Sequence, residues 1–330
     1  MDTDGQLSQF HFLTPDTILT IAEEAFDAHF TSLCRPYKSY INRVYELERE
    51  DGESFVIKFY RPARWSREAL QDEHDFLLDL VQDEIPVIAP LPLVGGGTLG
   101  EYQDTYFAIF PKKGGRSVDE FTEEQWLELG RLMGRVHVVG ARRKPVARIQ
   151  FTPDAVTKDQ IAFLCDGGFI EPDLIGQFKE VTDVLLHLII PLFKGKQLLR
   201  IHGDCHFANL IHRPGESLYL IDLDDMATGT PIQDVWMLLP GYLKDSHNEL
   251  NLFVEGYETF RTFDYSDRLL IEPLRAMRYI HYTAWCAHQA QDGGFSQLMP
   301  DWGVRQYWQT EVNDLRDQIQ VIEKVLRGEP

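Results

Sequence analysis

The sequence predicts an α+β fold of two unequal lobes: a small β-rich N-terminal lobe with one long helix, then a larger, mainly helical C-terminal lobe. Three observations carry this. Residues 43–60 cluster β-branched and aromatic side chains on both sides of "DG" (51–52), a hairpin pattern. A single helical stretch, 66–84, follows. After Pro111 the character changes: "KKGGRSVDEF" reads as a connector, and the remainder is mostly helical, broken by two short strands in "NLIHR" and "LYLIDLD". The lobes are therefore expected at 1–111 and 112–330, hinged near 110–116, with a ligand in the cleft between them.

Each element has its local reason. "TPDTILTIAEEAFDAHF" (14–30) opens with Thr14 as a cap and Pro15 at the first helical position. The stretch 66–84 carries Leu70, Phe76, Leu77, Leu80 and Val81 at helical spacing. "TYFAIF" (105–110) is a further strand. "TEEQWLELGRLMGRVHVVG" begins with a capping box of Thr122 and Gln125, and Trp126, Leu129, Met133 and Val136 form its core stripe.

Composition narrows the function classes. The 330 residues carry a formal charge of −20, which argues against a nucleic-acid or anionic-membrane partner. "MDTDGQLSQF" has no basic n-region or apolar run, so no signal peptide is expected. The greasiest stretch, "VLLHLIIPLF" (184–193), is too short to span a bilayer. Cys34, Cys165, Cys205 and Cys286 are scattered with no C-x-x-C pair, the usage of a reducing cytoplasm. A cytoplasmic monomer is expected.

The chemistry concentrates in "IHGDCHFANL" (201–210). Zinc needs three or four converging ligands, and His202, Cys205 and His206 share one short loop with no second pair nearby. A Cys–His nucleophile needs a base brought from elsewhere, and here His206 merely adjoins Cys205. Phosphoryl transfer fits better. Asp204 and Asn209 stand as D-x-x-x-x-N with His202 two before the aspartate, the spacing of a kinase catalytic loop. Asp222 then follows the apolar run "LYLI". In this pattern Asn209 and Asp222 hold Mg²⁺ on the phosphates, and Asp204 accepts the acceptor hydroxyl's proton.

Such a site also needs a strand lysine paired with a helix carboxylate. "FVIKFY" supplies Lys58, and a buried ammonium must be paired. Glu73, beside Phe76 and Leu77, is the expected partner, with Glu68 competing. No G-x-G-x-x-G precedes Lys58, so "YKSYINRVYEL" (37–47) is expected to form the lid, with Ser39 or Tyr40 near the phosphates. Asp234 is expected to anchor the catalytic loop by hydrogen bonds. Arg275 and Arg278 either face the acceptor or form structural salt bridges.

"HGDCHFANL", "LIDLDD" and "PIQDVWMLL" (231–239), in that order, resemble the aminoglycoside/choline phosphotransferase branch of the protein-kinase-like superfamily. Within it, "SYINRVY", "VIKFYRPARW", "DEIPV", "DLDDM" and "EPLRAMR" make the chain similar to the bacterial stress response kinase A family. The resemblance covers nearly the whole chain. It implies a two-lobed protein-kinase-like fold, and a cytoplasmic serine/threonine protein kinase of stress response that uses ATP and Mg²⁺. It also implies Asp204 as catalytic base, Asn209 and Asp222 as metal ligands, and Ser39 at the ATP site. Two features depart from protein kinases. Gly203 stands where an arginine would pair with a phosphorylated activation loop, so control by loop phosphorylation is not expected. Only residues 223–230 separate Asp222 from Pro231, too few for a long peptide-docking loop. A small-alcohol kinase (amino alcohol, homoserine-like or aminoglycoside-like acceptor) is the alternative.

Overall fold

The computed structural model describes residues 10–39, 41–213, 215–290, 295 and 299–329. The first nine residues of the opening stretch and Tyr40 of the lid lie outside them. Helix α1 (Pro15–Phe26) starts where expected, with the Thr14 hydroxyl accepting from the Thr17 amide at 3.2 Å. It does not continue to residue 30. Asp27 turns left-handed (φ 50°), and the chain enters strand β1 (Phe30–Pro36). Phe30 is buried against Phe26 and Phe55, with ring centroids 6.4 and 5.9 Å away. Sheet packing of this ring outweighs another helical turn.

Strands β2 (Arg43–Arg49) and β3 (Ser54–Phe59) form the expected hairpin around Gly52, whose φ of 87° favours glycine. Helix α2 (Arg67–Gln82) follows, capped by the Ser66 hydroxyl. Strands β4 (Gly100–Tyr102) and β5 (Thr105–Pro111) complete an antiparallel sheet in the order β1-β2-β3-β5-β4. Leu70, Phe76, Leu77 and Leu80 of α2 are buried. Val81 is 46% exposed, because it sits ~100° round the helix from Leu80.

Beyond Pro111 the chain changes sheets. Strand β6 (Arg116–Ser117) pairs with β8 (Leu210–His212), which pairs with β9 (Leu218–Leu220). A second ribbon joins β7 (Leu199–Ile201) to β10 (Ala227–Gly229). Around these ribbons lie α3 (Glu123–Gly140), α4 (Lys158–Asp166), α5 (Pro172–Phe193), the short α6 (Gln233–Trp236), α7 (His247–Tyr257), α8 (Ile271–Ala290) and α9 (Arg305–Arg327). Both halves of the Thr122–Gln125 capping box form at the start of α3. Among the described residues, no helix is long and apolar enough to cross a membrane.

One large apolar core fills this second unit, and a smaller one lies under the first sheet. Phe76, Leu77 and Leu80 of α2 belong to the larger core, so α2 packs its apolar face on the C-terminal unit. Helices α3 and α7 meet at glycines. A Cβ on Gly130 would lie 2.1 Å from the Phe253 carbonyl oxygen, and one on Gly256 would lie 2.1 Å from that of Leu127. In an exposed helix, Gly→Ala stabilises by up to ~1 kcal/mol. Here Gly256→Ala should destabilise by about 1–3 kcal/mol, because two helix backbones must separate. Urea unfolding of the variant checks the sign.

Candidate active site

Residues 202–209 connect β7 to β8, and the first residue of the turn is pinned from several sides. The His202 amide donates to Asp234 Oδ2 at 2.7 Å, and the Gly203 amide donates to Asp234 Oδ1 at 2.8 Å. His137 Nε2 lies 3.2 Å from the same Asp234 Oδ2, and Tyr257 Oη lies 3.0 Å from His137 Nδ1. Asp234 is fully buried and spends its oxygens on these groups, as expected of a loop anchor. His202 Nε2 donates to the Ile221 carbonyl at 2.9 Å, since a carbonyl can only accept. Its Nδ1 is then an acceptor for the Asp204 amide at 3.4 Å. The imidazole thus bridges the catalytic loop to the residue before Asp222 and is not turned toward a metal.

Gly203 has a structural reason to lack a side chain. Its φ is +89°, and a Cβ would meet the Asp225 carbonyl oxygen at 2.1 Å. Cys205 is fully buried, and burial raises its thiol pKa well above the ordinary range. His206 turns instead to Asp204 Oδ2 at 3.4 Å, so the two residues do not converge on one point. Among the described residues, no group of three His, Cys, Asp or Glu is arranged to hold a metal ion.

Asp204 is held at both oxygens. Arg278 Nη1 donates to Oδ1 at 2.9 Å, and His206 faces Oδ2. Burial alone would raise the carboxyl pKa, but His206 and Arg278 outweigh it and bring it down to about 2. Arg275, three residues earlier, has a structural role: it donates to Glu272 and to the Gly241 carbonyl. Asn209 Nδ2 donates to the Asp204 carbonyl at 2.9 Å, which leaves its amide oxygen as the group able to act as a ligand.

Asp222 follows β9 in a left-handed conformation (φ 58°, ψ 64°), a backbone state costly for a non-glycine residue and concentrated at functional sites. Across the cleft, Lys58 Nζ on β3 lies 3.1 Å from Asp222 Oδ1 and 3.3 Å from Asp224 Oδ1. Burial opposes its charge, yet Asp222 and Asp224 keep the ammonium protonated well above its usual range. Asp224 is itself buried. Lys58, Arg64 and Arg148 overcome that burial and hold its carboxyl well below the ordinary range. Arg64 bridges Asp224 and Asp225, and Asn42 Nδ2 donates to Asp224 at 3.2 Å.

The expected Lys58–Glu73 pair is not formed. Glu73 is buried and accepts from Arg148 Nη2 at 2.8 Å. The compact ammonium has two nearer carboxylates, whereas the buried guanidinium of Arg148 takes Glu73 of α2 as its ion pair. Burial raises the Glu73 carboxyl to about 7, with Lys58 and Arg148 acting in the opposite direction. Glu68, the other candidate, is exposed in the first turn of α2. Ser39 is half-buried and lines the cleft next to Tyr37 and Lys38.

The cleft is a cavity of about 800 Å³. The first lobe and the hinge give it apolar walls, including Val44, Val56, Leu77 and Phe110, which suit a flat base. The C-terminal lobe contributes Phe151, Trp236, Tyr282, Trp285 and Arg278. The lid strand is tied to the hinge through Glu46, which accepts from Arg35, Tyr37 and Lys112. Oxygen donors from Asp222 and Asn209 fit a hard divalent cation that keeps most of its ligands from water and phosphate. Sequence reading missed Asn42, Arg64 and Arg148 as site residues. The first two sit inside the quoted "SYINRVY" and "RPARW", where a polar or cationic residue next to a lysine strand was a usable signal. Arg148, in "KPVARIQ", carries no local signal.

A two-lobed fold with a strand lysine, an Asp–Asn loop and a strand-end aspartate defines a kinase-like phosphotransferase. The comparisons agree. Residues 34–270 match the phosphotransferase enzyme family, and the chain belongs to it. It is 36% identical over 316 residues to stress response kinase A of Escherichia coli strain K12, covering 96% of this chain and 95% of that protein. It is 37% identical over 321 residues to serine/threonine protein kinase RdoA of Salmonella typhimurium, covering 95% and 94%. Among solved structures it is similar to amicoumacin kinase hAmiN in complex with AMP-PNP, Ca²⁺ and Ami, with a TM-score of 0.70 at 20% identity over 91% of this chain and 93% of that one. A microcompartment-associated aminopropanol kinase gives 0.68 at 18% over 95% and 98%. The fold is therefore protein-kinase-like, and the chain is an ATP-dependent kinase.

Asp234→Ala removes the acceptor of two buried amides, and each unpaired donor costs ~1–3 kcal/mol, so a loss of about 3 kcal/mol or more is expected by denaturant unfolding. Asp204 in the folded state titrates below the ordinary aspartate value of about 3.9. Its contribution to stability is complete above that value and is lost as pH falls toward 2. Asp204→Asn should therefore lose stability less steeply than the parent chain across this window, as measured by unfolding at a series of pH values.

Proposed function

We propose that this chain transfers the γ-phosphoryl group of ATP to an alcohol oxygen, uses Mg²⁺ as its metal, and works in the cytoplasm with a protein Ser or Thr as acceptor. The observation that carries the reading is the meeting of Lys58 with Asp222 at 3.1 Å across 164 positions of sequence. Asp204 and Asn209 stand on the loop that His202 ties to the Asp222 turn. The protein acceptor is supported by the relative named as a serine/threonine protein kinase.

Asp204 remains ionised at neutral pH and can orient an acceptor hydroxyl by accepting its hydrogen bond. A carboxyl with a pKa of about 2 is a weak base toward a free alcohol. The proton therefore moves late, once the oxygen has bonded to phosphorus and become acidic. Lys58 offers its ammonium to phosphate oxygens, and the apolar walls exclude water. Mg²⁺ held by Asp222 and Asn209 would supply charge neutralisation on the phosphates.

A small-alcohol acceptor has one observation in its favour. Within residues 223–230, Ala227–Gly229 form β10 and pair with β7, so this segment is built into the lobe and offers a peptide no docking loop. Incubation with γ-labelled ATP, first with generic protein substrates and then with a panel of amino alcohols, separates the two acceptors.

Asp204→Ala should lower turnover by on the order of 10²–10⁴-fold while Mg·ATP binding survives. Asp222→Ala should abolish turnover and also weaken the magnesium-dependent part of ATP binding. Calorimetric titration of ATP into each variant, with and without Mg²⁺, distinguishes the two. The opposite assignment of binding loss would reverse their roles, and full activity in both would end the kinase reading.

A further inference from the structure

Arg148 lies outside every motif of the site, yet its side chain is completely buried beside it. Its guanidinium reaches three places. Nε donates to the Ala69 carbonyl of α2 at 2.7 Å, Nη2 to Glu73 of α2 at 2.8 Å, and Nη1 to the Asp224 carbonyl at 2.5 Å. The plane lies over the Trp65 ring, 4.2 Å from its centroid. The backbone that carries Arg148 is itself clamped to α2, because the Asp72 carboxylate accepts the amides of Val146, Ala147 and Arg148 at 2.9, 2.6 and 3.1 Å.

We propose that Arg148 is a positioning residue that sets helix α2 and the Asp222–Asp225 turn in one register, so that Asp222 is presented to the phosphates. The inference rests on the phosphotransferase reading above. Asp222 sits in a costly left-handed conformation that persists only when its surroundings over-determine it. The Asp224 carbonyl, two residues on, is a direct hold on that turn, and Arg148 makes it from the side of α2. Lys58 holds the same turn from β3 through side-chain carboxylates. The other reading of Arg148 is that it only neutralises Glu73. A fork donating to two carbonyls as well as one carboxylate does more than neutralise. A lysine could keep the charge but not the three simultaneous bonds.

The test uses the full chain, with three measurements: unfolding midpoint, calorimetric ATP affinity with and without Mg²⁺, and transfer of label from γ-labelled ATP. Arg148→Lys keeps a cation beside Glu73. It should fold and bind ATP without Mg²⁺ as the parent does, yet lose most of the affinity gained on adding Mg²⁺. Its turnover should fall on the order of 10- to 100-fold. Arg148→Met combined with Glu73→Gln removes the carboxylate that Arg148→Met alone would leave unpaired. Compared with Glu73→Gln alone, the double variant should unfold at a lower midpoint, because the Ala69 and Asp224 carbonyls lose the Arg148 donor, and should remain defective in turnover and in the magnesium-dependent gain. Recovery of all three to the Glu73→Gln values would overturn the proposal and reduce Arg148 to a neutralising partner. If the double variant does not fold, Arg148→Lys decides: parent-like turnover and magnesium gain in it also overturn the proposal. A parent chain that neither binds Mg·ATP nor transfers label would instead remove the phosphotransferase reading, and this proposal with it.

Discussion

Between Asp222 and Asp225 the chain places three carboxylates at the cleft between the lobes, and much of the molecule is arranged around neutralising them. The cations come from far away in sequence: Lys58 from β3, Arg64 from the turn before α2, and Arg148 from the loop beyond α3. Asp224 is the buried one of the three, and an uncompensated carboxylate there costs several kcal/mol, so its cations are required. They also join the lobes. The strand that carries Lys58 and the loop that carries Arg64 are both held to the C-terminal turn by charge, while α2 packs apolar side chains into the C-terminal core.

The loop of residues 202–209 is secured by a different device, a fully buried carboxylate. Asp234 gathers two backbone amides and His137, so the loop conformation is set by groups that have no alternative partner in water. Gly203 belongs to the same packing problem. The Asp225 carbonyl occupies the space that a side chain would fill, which joins the loop of Asp204 to the turn of Asp222 at van der Waals distance. The absence of an arginine at this position is thus a consequence of close backbone approach, and within the short segment 223–230 Ala227–Gly229 fold back as β10.

Much of this was legible in the order of residues. Local patterns placed the hairpin around Gly52, the capped starts of α1 and α3, and the buried stripes of α2 and α3, because period and cap chemistry depend on neighbours a few positions away. The loop-and-strand spacing of His202, Asp204, Asn209 and Asp222 was legible because a single chain segment carries it. The end of α1 was misread, since nothing local shows that Phe30 is needed by Phe55 across the sheet. Arg278 was left between two roles, and the structure seats it on Asp204.

What the sequence determined by itself was the class of fold, the lysine strand, and the aspartate–asparagine loop with its following aspartate. These are encoded by short-range periodicity and spacing, which survive without knowledge of contacts. Only the tertiary structure decided which charge meets which. Glu73 and Lys58 both lie on the expected elements, yet Glu73 is claimed by Arg148 and Lys58 by Asp222 and Asp224. Ion pairing in a buried cleft is a competition among all charges brought there by folding. Its outcome depends on distances between residues 75 to 166 positions apart, which no local pattern contains.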